Sequence, residues 1–199
     1  MKTLFLLFLF INLIAQDDYS FRVAYGKSTN SNLGEIFVGD IKSSSHDYRV
    51  LSFDGGYLLK KNLWDIPLDI YLSSGLGYYD EDSVAKNVFE GTLYFKFFYN
   101  LDFWQNRVRI GFGEGISYTN RYLRVEYEEA VLDNDRHSKY LNYLDISFDI
   151  DLGLLADYKP LNGTTFGWAI RHRSGIKGLI NSVEEGGVNY NTLYIESNF

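Results

Sequence analysis

From Phe21 to Phe199, apolar and polar residues exchange places with a period of two, and this restricts the fold more than any other feature of the chain. Phe21, Val23 and Tyr25 alternate with Arg22 and Ala24. The same pattern runs over Leu51 to Leu59, Leu68 to Tyr78, Phe89 to Tyr99 and Val108 to Tyr118, then over Leu144 to Leu154, Phe166 to Ile170 and Leu193 to Phe199. Successive side chains of a strand point to opposite faces, so each segment is a strand with one apolar face. Most approach the length, about 9–11 residues, that crosses a bilayer at a tilt. Composition agrees: Tyr 17, Phe 15 and Gly 18 against Pro 2, with 46% hydrophobic residues yet a mean hydropathy of −0.19. Such values require apolar and polar residues to be interleaved, and the aromatic excess favours strands.

A soluble β-sandwich alternates too, but two features point to a membrane barrel. The polar faces carry charges in mid-strand: Asp145, Asp149 and Asp151 all fall in the sixth segment. The connections also alternate in length. Lys61 to Ile66, Leu101 to Asn106 and Lys159 to Gly163 are short; Lys27 to Asp47, Thr119 to Ser138 and Gly175 to Val188 are longer, with Asp80 to Asn87 between. Short periplasmic turns opposite longer outer loops are the mark of an outer-membrane barrel. Trp64, Phe103, Trp104 and Tyr158 lie at or beside short turns, where an aromatic girdle belongs. The expected fold is therefore all-β, an eight-stranded antiparallel outer-membrane β-barrel, with residues 16–199 as one domain.

Before the barrel, Met1-Lys2-Thr3 leads into the apolar stretch Leu4 to Ile14, broken by Asn12 and ending at Ala15. One early lysine, a short apolar run and a small residue make residues 1–15 a cleavable signal peptide. No later run is long enough for a membrane helix, so a membrane role has to use strands. The chain has no cysteine, which removes disulfides and thiol chemistry. A net charge of −7 argues against nucleic-acid binding.

The interior of an eight-stranded barrel is filled by side chains. Arg107 and Arg109 are expected beside Asp149 and Asp151, and Arg171 and Arg173 beside Asp145, as an internal ion network rather than a pore or metal site. Function enters with residues on the wrong face. Phe166, Trp168 and Ile170 face lipid, and the same parity carries on to His172 and Ser174. An imidazole and a hydroxyl thus stand side by side on the outer wall, a pairing suited to nucleophilic catalysis. Glu184 and Glu185 follow as candidate acids to orient His172. Glu114 is a second anomaly, a carboxylate in the outward register between Phe112 and Ile116, and a bulge at Gly113 or Gly115 is expected to turn it inward.

His172-Arg173-Ser174, followed by Asn181 and Glu185 before the last strand, resembles the outer-membrane lipid A 3-O-deacylase family. Gly113-Glu114-Gly115-Ile116 is similar to a glutamate-glycine segment of a middle strand in that family. The resemblance implies an eight-stranded barrel of the bacterial outer membrane. It also implies a serine esterase that removes the ester-linked 3-hydroxyacyl chain from lipid A, its lipopolysaccharide partner. Ser174, His172 and Glu185 would form an outward-facing triad, Asn181 would be the oxyanion candidate and Glu184 the alternative acid; no metal or cofactor is implied. The family follows its serine with asparagine where this chain has Gly175, and the spacing from His172 to Glu185 is one residue short. The rival reading is a non-catalytic small barrel serving structure, adhesion or surface binding through loops such as the acidic stretch from Arg121 to Ser138.

Overall fold

The computed structural model describes residues 18–42, 44, 47–81, 86–132, 136–183 and 187–199, the side chain of Glu129 excepted. The expected signal segment, Glu184 and Glu185 lie outside these. Eight strands follow one another around a closed barrel, each antiparallel to its neighbours. They are β1 (Tyr19–Thr29), β2 (Arg49–Lys60), β3 (Leu68–Asp80), β4 (Val88–Phe103), β5 (Asn106–Thr119), β6 (Tyr140–Asp151), β7 (Thr164–Ser174) and β8 (Gly187–Asn198). Three short helices join them: α1 (Leu33–Phe37), α2 (Arg124–Leu132) and α3 (Leu152–Ala156). β1 pairs β8 from Ser20↔Asn198 to Thr29↔Asn189, so no edge is left open.

The outer wall is apolar where the alternation placed it. Phe53, Leu76, Leu93, Phe95, Phe112, Phe148, Phe166, Leu193 and Ile195 are exposed around the circumference. In hydrocarbon a closed barrel satisfies every backbone donor internally. Trp64, Phe103, Trp104 and Tyr158 are exposed at the short-turn end, and Trp104 is 98% accessible.

The lumen is packed in layers. At the long-loop end Tyr48, Val50, Tyr79, Val88, Leu123, Val188 and Tyr190 form a buried apolar plug. Below it charges interlock across the barrel. Arg22 donates to Asp145 at 3.2 and 2.7 Å, and Lys96 bonds the same carboxylate and Ser147. Arg171 reaches Asp54 and Glu90, each at 3.1 Å. Arg109 holds Asp149 at 2.8 Å and Glu196 at 2.9 Å.

Of the expected pairs, Arg109 with Asp149 is present, but the other partners differ. Arg171 stands opposite Asp145 in the β6–β7 register, yet its long side chain spans the lumen to the far wall. Arg173 turns up to Glu126 at 2.6 Å, and Arg107 pairs with Asp102 at 2.6 Å. Asp151 instead caps α3, accepting from the Leu154 amide at 2.8 Å. That cap ends β6 before Leu152, so Leu152 and Leu154 are helical and not strand residues as the alternation suggested. The acidic stretch expected as loop contains α2, whose Glu126 is buried against Arg173.

Candidate functional site

Near the loop end, the apolar outer wall gives way to a row of polar side chains on four consecutive strands. β7 presents His172 and Ser174, both half-buried and both on the face of Phe166 and Trp168. The strand register sets their neighbours. Ser174 stands opposite Asn142 of β6 and Gly187 of β8; His172 stands opposite Leu144 and Asn189. Asn142 shares the parity of Leu144 and Ile146, and Asn189 that of Leu193 and Ile195, so all four polar groups face outward.

Glu114 extends the row onto β5. The expected bulge is absent: β5 pairs with β4 and with β6 in unbroken register through this region, and Glu114 stays outward between Phe112 and Ile116. What keeps it there is a partner on the next strand, since the Asn142 side chain hydrogen-bonds the Glu114 carboxylate. An unpaired carboxylate on that wall would be unfavourable.

The imidazole is held in one orientation. Asn189 Nδ2 donates to the Ser31 carbonyl at 2.9 Å, which fixes the amide and turns its Oδ1 to His172. His172 Nδ1 lies 2.8 Å from that oxygen. An amide oxygen accepts, so Nδ1 carries the hydrogen and Nε2 keeps the lone pair. The neutral ring is thereby set as a base at Nε2, the state that general-base catalysis needs.

Gly187 makes room for both side chains. A Cβ there would sit 2.8 Å from His172 Cε1, 2.8 Å from the Arg173 carbonyl oxygen and 3.4 Å from Ser174 Cβ. The ring and the serine therefore converge on the space left by the missing side chain. No direct hydrogen bond joins His172 to Ser174 among the described residues.

Of the other candidates, Asn181 is directed elsewhere: its Nδ2 donates to Ser138 Oγ at 3.0 Å and to the Tyr140 carbonyl at 2.7 Å, tying the β7–β8 loop to the start of β6. Glu184 and Glu185 lie outside the described residues. Among the described residues no group of three acidic or histidine side chains is arranged to hold a metal. Asn142 and Asn189 were missed from sequence, although each breaks the outward apolar parity of its strand as His172 and Ser174 do.

Comparison with solved structures follows the fold. The chain is similar to the crystal structure of the outer membrane enzyme PagL, with a TM-score of 0.60 at 13% identity over 90% of this chain and 99% of that one. It is also similar to Neisserial surface protein A (NspA), with a TM-score of 0.53 at 11% identity over 92% and 98%. No protein-family model and no curated protein sequence matches. At these identities the likeness is one of fold. The chain is an eight-stranded antiparallel barrel of the outer-membrane kind, in keeping with a place in a bacterial outer membrane.

Proposed function

We propose that the protein is an outer-membrane serine esterase that removes the ester-linked 3-hydroxyacyl chain from lipid A in the outer leaflet. One observation carries this reading: an imidazole locked by Asn189 as an Nε2 base lies two residues from a serine, on the lipid-facing wall. A substrate that is itself a membrane lipid meets the protein on that wall, and a packed lumen admits no acyl chain. The resemblance of the His172–Ser174 segment to the lipid A 3-O-deacylase family supports the substrate class.

In the proposed reaction Ser174 Oγ attacks the acyl carbonyl as His172 Nε2 takes its proton. The tetrahedral oxyanion needs a donor. Asn142, which also hydrogen-bonds Glu114, stands opposite Ser174 across the β6–β7 register, and its side-chain amide is the candidate donor. His172 then protonates the departing sugar oxygen, and water, activated by the same ring, releases the fatty acid. Asn189 orients the ring; Glu185 is the further candidate for an acid behind it.

The test is the lipid A mass profile of a lipopolysaccharide-bearing host that expresses the protein. Wild type removes one 3-hydroxyacyl chain and Ser174→Ala leaves lipid A intact. Identical profiles for the two would refute the reading. They would favour a non-catalytic surface barrel, the alternative that the missing His172–Ser174 hydrogen bond supports.

A further inference from the structure

Above the outer wall of β5 and β6, cations gather in a protein that is acidic overall. A cleft of about 390 Å³ is lined by Lys86, Arg121, Arg124 and Lys139, together with Tyr122, Tyr127 and Glu81. Arg124 is paired with Glu128 at 2.6 Å. Among the described residues Lys86, Arg121 and Lys139 have no acidic partner; Lys139 Nζ instead lies 5.6 Å from the centre of the Tyr122 ring. His137 packs edge-on against Tyr122 and Tyr127, with centroids 4.4 and 5.2 Å apart, and braces the aromatic side of the cleft. Burial pushes the Glu81 carboxyl up to about 7, so near neutral pH it opposes an incoming anion with only part of a charge.

The height of the cleft is informative. Tyr118 and Tyr140 are paired across β5 and β6 and exposed on the outer face, where interfacial tyrosines belong. Lys139 and Arg121 follow just beyond them toward the loops, the level at which lipid headgroups carry their phosphates. Arginine and lysine suit phosphate, the former by its fork and the latter as a point charge. Three cations without described acidic partners, clustered around one concavity, are otherwise held together against their mutual repulsion.

We propose that this cleft binds the phosphate monoester of an outer-leaflet lipid headgroup through Lys86, Arg121 and Lys139. One wall of it adjoins the start of β6, the strand beside Ser174: Lys139 immediately precedes β6, and Asn142, the partner of Ser174, is three residues or about 10 Å further on. A bound phosphate therefore holds the headgroup beside the polar row. The binding itself does not depend on the proposed esterase chemistry.

The experiment uses the full folded barrel in detergent and native mass spectrometry, with phosphatidic acid as the phosphate monoester probe and diacylglycerol as its phosphate-free counterpart. Wild type retains phosphatidic acid in strong preference. The variant Lys86→Gln/Arg121→Gln/Lys139→Gln loses this preference by on the order of 100-fold, from roughly tenfold or less per surface cation. Lys86→Arg/Lys139→Arg retains it, and the unboiled gel shift of each variant checks that the barrel is closed. Ser174→Ala binds as wild type does, which separates failure of this site from failure of the esterase reading. Equal retention of the two lipids by wild type, or an unchanged preference in the glutamine variant, overturns the proposal. Displacement of phosphatidic acid by millimolar inorganic phosphate also overturns it, because the site would then serve free phosphate.

Discussion

Replacing Asp145 by alanine tests whether the ions inside the barrel hold it together. The Asp145 carboxylate is fully buried and takes two bonds from Arg22, one from Lys96 and one from the Tyr143 hydroxyl at 3.3 Å. With it gone, Lys96 keeps only neutral acceptors, Ser147 and the backbone carbonyl of residue 145 at a long 3.4 Å, and Arg22 keeps Tyr94 and a long 3.6 Å approach to Asp54, a carboxylate already engaged by Arg171. Removing one partner of a buried ion pair costs about 3–5 kcal/mol, because the remaining charge has lost its water as well as its partner. Two cations depend on Asp145, so a loss of about 4–5 kcal/mol is expected. Replacing all three groups by apolar residues of similar volume, as in Arg22→Met/Lys96→Met/Asp145→Leu, removes the stranded charge and is expected to come within about 1–2 kcal/mol of wild type. The assay is urea unfolding of the barrel in micelles, followed by tryptophan fluorescence and by gel mobility of unboiled samples. A loss below about 1 kcal/mol for Asp145→Ala, or a triple variant no more stable than the single one, would refute the argument from uncompensated charge.

Two further outcomes are expected. Gly187→Val places a branched side chain where His172 Cε1 and the Arg173 carbonyl stand, so the ring is pushed off Asn189. The barrel should still close, while the rate of the proposed acyl release falls at least about fivefold, one lost ring hydrogen bond being worth about 1 kcal/mol or more; a wild-type rate would show that the ring's placement does not matter. Glu81 and Glu126 respond to pH. Burial pushes both up to about 7 from an ordinary 4.5; Glu128 adds to the rise at Glu81, Glu90 and Glu81 add to that at Glu126, and Arg124 and Arg173 oppose it. An acid that holds its proton more tightly in the fold contributes stability that is present at low pH. That stability is lost between about 4.5 and 7. Hydrogen exchange in α2, corrected for its intrinsic pH dependence, should therefore be slower at pH 5 than at pH 8, and the reverse order would contradict the assignment.

Much of this architecture was legible because strand alternation is local. Each segment from Phe21 to Phe199 declares its two faces within ten residues or so, and the connection lengths declare which ends lie together. His172 and Ser174 were found by the same rule, as polar residues in an apolar register. Asn142 and Asn189 obey it equally, but strong apolar alternation starts only at Leu144 and Leu193, so the polar extensions of β6 and β8 that carry them give no strand signal of their own. The outward place of Glu114 is not legible from its own strand, because the neighbour that relieves its cost, Asn142, lies on the next one. The lumenal partners were beyond local reasoning: Arg22 and Asp145 lie 123 residues apart, and only closure brings them together. The helical ends at Asp151 and Arg124 depend on single caps, Asp151 on Leu154 and Glu81 on Arg124, that interrupt otherwise plausible patterns.

Arg173 sits between His172 and Ser174 in the chain and points the other way. Its guanidinium grips Glu126 of α2 and the Lys139 carbonyl, so it rivets the loop-end cap to the last turn of backbone before Ser174. The inside of the cylinder thus has a hand on its outside. A surface molecule that pried α2 loose would slacken that rivet and let the two outward side chains on either side of it drift, with no contact of its own to either. An antibody fragment against α2 is in this sense a remote lever on the membrane face.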